Sequence, residues 1–335
     1  MLVLLYNLEL RRRVFSFLSK HILFNCYNEV KLNLNYTDLH CDTAYEIYKS
    51  NSGLNKNNYH IDIAKAKIFD RYSQVFAFWS DNSKSDDENY DDFFKIKSYF
   101  LENLCENDII LCKSGLDYEK NKSKNCAFLA VEGGKLLSDD LSRLDVLYEN
   151  GVRFLTLVWN GFCKIGGAFN ADEGLTDFGK KVVRRCEELG IIVDISHGSD
   201  KLMSDVFEIA NKPVIATHSN SRSVFEHNRN LTDEQFLEIK KRGGIVGISL
   251  CRHHISEEPV TIKDVIKHID YYMSLGGENI ICFGCDFDGA KIPDDVENIS
   301  GVAKICAELK KSGYGDKIIE NIMYKNADNF IVGNL

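Results

Sequence analysis

Eight short apolar runs recur along this chain, and stretches with helical patterning separate them. The runs are rich in β-branched and aromatic residues and are bounded by turn-forming residues, which is typical of buried strands. They are Tyr36–Asp42, Gln74–Ser80, Cys126–Gly133, Phe154–Asn160, Ile191–His197, Pro213–Ser219, Gly244–Leu250 and Asn279–Phe287. Apolar residues recur at helical spacing between them, for example in Leu175–Gly190 and Asp233–Arg242.

This alternation of buried strands and helices favours an α/β fold in which a parallel sheet closes into a (β/α)8 TIM barrel. A doubly wound open sheet is the alternative. That fold usually carries a glycine-rich phosphate loop after its first strand, and none follows Asp42. We therefore expect the barrel.

The domain organisation follows from the length and from the absence of a linker. The chain has 335 residues, and domains average ~150 residues, but barrels well above that length still fold as one unit. No proline- or serine-rich segment divides the sequence, which contains only three prolines. We expect residues 31–335 to form a single (β/α)8 domain and residues 1–30 to form an N-terminal extension, helical around Leu10–Leu18.

Charge and cysteine content narrow the classes of function. The net charge is −9, from 41 Lys and Arg against 50 Asp and Glu, so nucleic acid is not an expected partner. The 11 cysteines are odd in number and scattered, which favours a cytoplasmic location over a disulfide-bonded, secreted one. No apolar stretch reaches the ~18 residues of a membrane helix. Arg11–Arg13 follow the apolar start, the reverse of a signal peptide.

Several predicted strands end in residue types that bind metals, although a strand buried on both faces should be apolar throughout. These endings are Asp38-Leu-His40-Cys-Asp42, Ala130-Val-Glu132, Asp194-Ile-Ser-His197, Ala216-Thr-His218 and Cys285-Asp286-Phe-Asp288. All lie at the carboxyl ends of strands, where barrel enzymes keep their active sites. Five of eight strands ending in ionisable groups on one rim would be costly to bury without an ion.

The spacing of these residues fits a metal site. His40 and Asp42 lie two residues apart on a strand, so both side chains point to the same face. His197 and His218 follow consecutive strands, which are neighbours in a barrel. Glu132 has two carboxylate oxygens and can bridge two ions. Imidazole with carboxylate suits Zn²⁺ or a similar first-row metal.

Each of these residues also has an ordinary structural interpretation. A lone buried histidine is often a hydrogen-bonded core residue, Asp42 is a candidate helix N-cap, and Glu132 could close a turn. Their joint occurrence on one rim favours the metal site. We expect at most one of His253 and His254, which follow the seventh strand, to face the metals, because adjacent residues of an extended chain point in opposite directions.

Three further residues have open interpretations. Arg229 lies in the loop after the sixth strand, where a surface salt bridge is the alternative to a functional role. Trp79 and Trp159 both end predicted strands. Because they are large apolar groups, the structural alternative is that they simply cap the barrel. The close pair Cys282 and Cys285 lies in an apolar run without a second pair, so a zinc ribbon is not expected.

The chain resembles the membrane dipeptidase (renal dipeptidase) family of zinc metallopeptidases, within the amidohydrolase group of barrels. The resemblance covers roughly residues 36 to 331, and its motifs occur in the family's order. They are Asp38-Leu-His-Cys-Asp42, Ala130-Val-Glu-Gly-Gly134, Gly151-Val-Arg-Phe-Leu-Thr-Leu157, Asp194-Ile-Ser-His197, Thr217-His-Ser219, Arg229-Asn230 and Gly284-Cys-Asp-Phe-Asp-Gly289. The barrel domain is accordingly expected to be a metallodipeptidase domain.

The resemblance implies a role for each motif residue. His40 and Asp42 would bind one zinc, His197 and His218 would bind a second, and Glu132 would bridge them. Asp286 would be the catalytic acid/base, and Arg229 would hold the substrate's terminal carboxylate. Many eukaryotic members have a histidine where this chain has Trp159-Asn160, which resembles the bacterial branch. The predicted substrate contacts are Arg229, Asn160, Trp159 and Asp288, and Asp288 also competes with Asp286 for the role of base.

Together with the resemblance, these residues predict a two-zinc dipeptidase that hydrolyses free dipeptides. The prediction allows a D-residue at the C-terminal position of the substrate. In the predicted mechanism a metal-bridging hydroxide attacks the carbonyl while Asp286 handles the proton. Two alternatives stay open: another amidohydrolase reaction on N-acyl amino acids, cyclic amides or phosphoesters, and a metal-binding protein without catalysis. The expected partner is a dipeptide, without nucleic acid or membrane, and a homodimer is allowed.

Overall fold

The computed structural model describes residues 34–335 of the chain, and the predicted extension over residues 1–30 lies outside them. In chain order the strands are β1 (Tyr36–Cys41), β2 (Tyr72–Trp79), β3 (Ile110–Leu111), β4 (Cys126–Glu132), β5 (Val152–Thr156), β6 (Ile192–Asp194), β7 (Val246–Ile248) and β8 (Ile281–Phe283).

Helices follow or precede nearly every strand. They are α1 (Thr43–Ser50), α2 (Ile63–Ala66), α3 (Asp86–Glu106), α4 (Gly115–Lys120), α5 (Ser142–Glu149), α6 (Asp177–Leu189), α7 (Asp200–Ile209), α8 (Asp233–Lys241), α9 (Ile262–Ser274), α10 (Val302–Lys311), α11 (Asp316–Glu320) and α12 (Asn326–Asn334). Short 3₁₀ turns lie at Gly134–Leu137, Arg252–His254 and Ile299–Gly301, and a π-helical turn at Asn321–Lys325. Within residues 34–335, none of these helices combines the length and apolarity needed to cross a bilayer.

The strands form a parallel sheet that curls into a barrel. Pairing runs in the order β6-β5-β4-β2-β1-β8-β7, and β3 lies outside this path, beside β4. The predicted run at 213–219 forms no regular strand, but parallel bridges join Ile215 to Asp194 of β6 and Ala216 to Val246 of β7. This run therefore closes the ring between β6 and β7. The other seven predicted runs each contain a strand, and the barrel prediction is confirmed.

The sheet is buried on both faces, which explains the continuous apolar runs in the sequence. In β4, Phe128 and Ala130 belong to the cluster of side chains inside the barrel, whereas Leu129 and Val131 belong to the larger cluster beneath the helices. This is the period of two that a strand imposes. A residue that points inward near the end of such a strand is therefore directed to the rim of the barrel.

Local sequence signals set the helix boundaries. Helix α6 begins after Thr176, whose hydroxyl accepts a hydrogen bond from the Gly179 N–H, and it ends at Gly190, which takes a left-handed φ of 84°. Helix α8 begins with a capping box formed by Thr232 and Gln235. Both helices lie where the sequence predicted them.

Candidate metal centre

The carboxyl ends of β1 and β4 bring the first group of predicted ligands together. His40 lies near the end of β1 and is 1% exposed. Its Nε2 lies 3.4 Å from Asp42 Oδ2 and 3.6 Å from Glu132 Oε1. The same nitrogen lies 3.9 Å from Asp286 Oδ1, in the loop after β8. Strand β1 pairs with both β2 and β8, which explains why residues from the two ends of the described chain meet here.

Two further histidines approach the same oxygen of Glu132 that His40 approaches. This Oε1 lies 2.9 Å from His197 Nε2 and 3.4 Å from His218 Nε2, and the two imidazole nitrogens are 3.0 Å apart. His197 follows β6, and His218 lies within the bridging run, so their closeness results from barrel closure between those elements. The structure therefore brings all five predicted ligands and Asp286 around one point.

The arrangement fits bound cations. Two overlapping sets of ligand atoms each lie within 4.8 Å of one another, and they are His40, Glu132 and His218, and His40, Asp42 and Asp286. His40 Nε2 is buried and forms no well-aligned hydrogen bond among residues 34–335, although carboxylate oxygens of Asp42 and Glu132 lie 3.4 and 3.6 Å from it. Because an unpaired buried nitrogen is costly, a cation that accepts the His40 lone pair satisfies the site.

The ionisation of the site agrees with this interpretation. Burial lowers the pKa of His197 and of His218 well below the usual range, so both are neutral and have a lone pair to offer. Burial raises the pKa of Glu132 and of Asp42, and it raises the pKa of Asp286 to about 8. Clustered buried carboxylates resist ionisation, and cations at this point would favour their charged form.

His40 behaves differently from the other two histidines. Burial by itself lowers its pKa, but the surrounding carboxylates, Glu132 foremost, outweigh burial and raise the pKa of His40 to about 10. Without another cation, the protonated imidazole would be the charge that balances Glu132 and Asp42. The carboxylates therefore attract positive charge at this point.

The structure also decides the ordinary interpretations of these residues. Asp42 occupies the N-cap position of α1, but its carboxylate accepts no capping hydrogen bond. Glu132 is 3% exposed and faces histidines. Both carboxylates therefore point into the cluster rather than stabilising local turns.

Backbone strain accompanies the site. His197, Asp286 and Asp288 have positive φ angles of 68°, 62° and 69°. Such left-handed conformations are uncommon for residues other than glycine and collect at functional sites. Here they turn the chain at the ends of β6 and β8, which directs the side chains of His197 and Asp286 toward Glu132.

Arg229 is buried without an acidic partner. Its side chain is 2% exposed, its Nη1 donates to Ser219 Oγ at 2.8 Å, and its Nε has no partner. It forms no ion pair within the described residues. The alternative interpretation of Arg229 as a partner in a surface salt bridge is therefore wrong. Burial lowers the pKa of this guanidinium, while Asp286 and other nearby carboxylates oppose the shift.

A cavity of about 450 Å³ opens above the cluster. Trp159 and Asn160 line one wall, where Trp159 packs edge-on against Trp79 with ring centroids 4.9 Å apart. Trp79 Nε1 and Asn160 Oδ1 are buried and have no partner among residues 34–335. Arg229 is not among the residues that line this cavity. Those residues are Asp42, Tyr45, Glu46, Lys49, Trp79, Glu132, Trp159, Asn160, Phe169, His197, Cys251, His253, His254, Asp286, Asp288, Gly289 and Ala290.

His253 and His254 line the cavity but belong to neither set of ligand atoms. The ring of His254 packs against His227, with centroids 4.7 Å apart. Burial, followed by repulsion from Arg229, lowers the pKa of His254 to about 2. Both histidines therefore lie in the wall of the cavity, outside the two sets of possible ligand atoms.

Asp288 has a different environment from the one its predicted role requires. Its Oδ1 accepts the backbone N–H of His60 at 2.5 Å, and its Oδ2 accepts the Thr43 hydroxyl at 2.6 Å. Both oxygens are therefore used by the protein's own donors, although Asp288 lines the cavity, and its contact with substrate stays a prediction.

Residues behind the ligands were not predicted as part of the site. Asp194 is one of the polar residues at the strand ends, but its buried carboxylate contacts Thr217, the neighbour of His218, rather than a ligand nitrogen. Alternating polar residues in Asp194-Ile-Ser-His197 were the available signal. The partner hydroxyl lies on the bridging run at 213–219, a separate segment of the chain, so the sequence pattern alone did not reveal the contact.

A parallel barrel with three histidines and three carboxylates meeting at the carboxyl ends of its strands defines a metal-dependent hydrolase of the barrel type. Residues 25–329 match the model of the membrane dipeptidase family, peptidase family M19. The chain belongs to this family of metallopeptidases, which confirms the resemblance stated from its motifs.

Two relatives show how far the likeness extends. The chain is 30% identical over 233 residues to an uncharacterised protein of the pqqA 5′ region of Klebsiella pneumoniae, covering 64% of this chain and 85% of that protein. It is 31% identical over 233 residues to dipeptidase 3 of Mus musculus, covering 66% of this chain and 46% of that protein. The match thus spans less than half the length of dipeptidase 3.

Solved structures share the fold. A metallopeptidase described as dipeptidase AC, of family M19, superposes with a TM-score of 0.83 at 22% identity, covering 90% of this chain and 99% of that one. A metallopeptidase from Rhodobacter sphaeroides, bound to a phosphinate mimic of the dipeptide L-Ala-D-Ala, has the same score and coverage at 21% identity.

Proposed function

We propose that this protein is a dipeptidase that binds two divalent metal ions, with residues 31–335 as a single catalytic domain. The observation that carries this proposal is the meeting of six ionisable side chains at one rim, with Glu132 Oε1 within reach of His40, His197 and His218. Membership of the membrane dipeptidase family supports the reaction class.

The ligand assignment follows the family's motif pattern, since His40, His197 and His218 all approach the same oxygen of Glu132. His40 and Asp42 would hold one ion, His197 and His218 the other, and Glu132 would contact both. Imidazole and carboxylate donors suit zinc. When bound, such ions polarise the scissile carbonyl and lower the pKa of water towards neutrality.

Asp286 is the group we assign to proton transfer. It lines the cavity beside the candidate metal ligands, and cations at this point would keep its carboxylate ionised and able to accept a proton. It would take the proton of the attacking water and deliver it to the leaving amine. A structural metal site would not need such a group, which argues against a protein without catalysis.

Arg229 is the group we assign to the substrate's free carboxylate. A planar guanidinium binds a carboxylate through two hydrogen bonds, and this one is buried with its Nε unpaired. Because Arg229 does not line the cavity, binding there would include a local movement of the cavity wall. This role would restrict substrates to short peptides with a free C-terminus.

The stereochemical part of the proposal rests on a relative. The Rhodobacter sphaeroides metallopeptidase was crystallised with a mimic of L-Ala-D-Ala, and we extend to this chain a tolerance of a D-residue at the C-terminal position. Trp159 and Asn160, in the cavity wall, would contact the substrate. We propose the cytoplasm as the compartment, because the 11 cysteines are odd in number and scattered along the chain. The proposal also allows a homodimer.

A substrate panel tests this function. The protein, stripped of metal and resupplied with zinc, is offered L,L and L,D dipeptides, dipeptide amides and N-acyl amino acids. We expect turnover of free dipeptides that a chelator abolishes and zinc restores. Preferred hydrolysis of N-acyl amino acids or cyclic amides would establish the alternative amidohydrolase reaction, and zinc binding without turnover of any compound would contradict catalysis.

A further inference from the structure

We propose that Thr217 and Asp194 are positioning residues that hold His218 in the orientation and tautomer needed for metal binding. The inference rests on the proposed metal centre and assigns a role to two buried residues that do not reach it. The link runs from the Asp194 carboxylate through the Thr217 hydroxyl to the His218 imidazole.

Asp194 is a buried carboxylate whose partners are all neutral donors. It is fully buried and forms no ion pair within the described residues. Its Oδ1 accepts the backbone N–H groups of Ser196 and Thr217, each at 2.9 Å. Its Oδ2 accepts the hydroxyls of Thr156 and Thr217, each at 2.6 Å. These four donors fix the position of the carboxylate and occupy both of its oxygens.

The position of the Thr217 proton follows from these contacts. The hydroxyl oxygen lies 2.6 Å from Asp194 Oδ2 and 2.7 Å from His218 Nδ1. A hydroxyl has a single proton, and an ionised carboxylate can only accept. Thr217 therefore donates to Asp194 and accepts from the His218 Nδ1–H.

This direction determines the chemistry of the other ring nitrogen. With its proton on Nδ1, a neutral His218 has a lone pair on Nε2, the atom that lies 3.4 Å from Glu132 Oε1. The hydrogen bond also fixes the plane of the ring, and a partner behind a metal-bound histidine typically raises its strength as a ligand. Asp194 thus acts on the metal centre through two hydrogen bonds rather than by contact.

His197 shows that such a link is particular to His218. The Nδ1 of His197 has no side-chain partner among residues 34–335, and its backbone contact is with Trp159; the residue has a left-handed backbone conformation. The competing explanation is that Thr217 only ties neighbouring strands together. Thr156 is a control that distinguishes the two explanations. It is equally buried and donates to the same oxygen of Asp194, but it does not contact His218.

The experiment compares zinc dissociation constants, measured on the full chain by competition with a chelator, for the wild type and three variants. T217V keeps the shape and removes the hydroxyl, T217S restores it, and T156V is the matched control. We expect T217V to weaken the affinity of at least one zinc by roughly 10–100-fold. T217S and T156V should stay within a few-fold of the wild type.

Equal losses in T217V and T156V, or no loss in T217V, would overturn the proposal, since Thr217 would then be only structural. The second measurement needs no variant: nitrogen-15 NMR of the metal-free wild type should show the proton of the His218 ring on Nδ1, and a proton on Nε2 with none on Nδ1 would overturn the proposal. Failure of the wild type to bind zinc would instead contradict the proposed function, so the two failures are distinguishable.

Discussion

Asp288 and His60 are joined by two reciprocal hydrogen bonds, each from the backbone N–H of one residue to the side chain of the other, although they belong to loops far apart in the chain. The carboxylate of Asp288 accepts the His60 N–H at 2.5 Å, and the His60 Nδ1 accepts the Asp288 N–H at 2.9 Å. Thr43, at the start of α1, donates to the same carboxylate. Asp288 therefore fixes the turn that carries Asp286, only two residues away.

The first prediction follows from this clamp. D288N should lower kcat by roughly 10–100-fold, because a shift of Asp286 by even ~1 Å costs about that much, while KM for a dipeptide changes little. T43V removes another donor to the clamp and should act in the same direction more weakly. Steady-state kinetics decide: a large rise in KM with unchanged kcat would show that Asp288 contacts the substrate after all.

The second prediction concerns Asp286 itself. D286N keeps the shape of the side chain and loses the proton acceptor, so kcat should fall by roughly 10²–10⁴-fold with near-normal metal content by mass spectrometry. Asp286 belongs to one of the sets of possible ligand atoms, which makes loss of metal the informative contrary result. That outcome would make Asp286 chiefly a ligand.

The third prediction concerns Arg229. R229A should raise the barrier for free dipeptides by roughly 2–5 kcal/mol, the cost of leaving a desolvated carboxylate unpaired, as measured by kcat/KM. Dipeptide amides lack this carboxylate and should be poor substrates of the wild type, with R229A changing their turnover little. Equal turnover of amides and free acids by the wild type would remove this role from Arg229.

The fourth prediction is a pH dependence of stability that originates away from the metal centre. His268 is fully buried, where its Nδ1 accepts the Ser221 N–H and its Nε2 donates to Ile255 O. Burial lowers the pKa of His268 from 6.5 to about 4. Above pH 6.5 the residue is neutral in both states; as pH falls towards 4, the unfolded chain takes up a proton that the folded imidazole refuses.

The free energy of unfolding should therefore decrease on acidification over this window, by about 3 kcal/mol from this residue alone. H268Q can still accept from Ser221 and donate to Ile255, but it does not titrate. Urea unfolding of both proteins at several pH values would show a smaller decrease for the variant between pH 6.5 and 4. Identical pH profiles would mean that His268 does not carry this dependence.

Much of the fold followed from local patterns. Apolar runs of strand length and helical spacing predicted seven of the barrel's strands, because both faces of each strand are buried and the helices carry their own caps. The run at 213–219 was predicted as a strand but pairs through isolated bridges. The short β3 (Ile110–Leu111) was missed, since two residues leave no periodic signal.

The candidate metal-binding residues could be predicted because each lies at or shortly after the carboxyl end of a strand or of the bridging run, and parallel strands end at one rim. The environments of Asp288, Arg229 and Asp194 could not. The clamp on Asp288 depends on His60 from a distant loop, Arg229 is buried by the packing of its own loop, and Asp194 acts through a hydroxyl on a neighbouring chain segment. Such long-range contacts are set by how loops pack, which local spacing does not encode.

We propose that the cluster around Glu132 binds two metal ions and that the protein needs them to hydrolyse a dipeptide. The most direct test of this claim is a titration of zinc into stripped protein while zinc content and dipeptide turnover are recorded together. We predict that turnover rises to its maximum as occupancy approaches about two ions per chain, because five ligand residues exceed one tetrahedral site, and that H197A binds fewer ions and stays inactive. Full activity in the stripped protein, or no zinc bound at saturation, would contradict the claim.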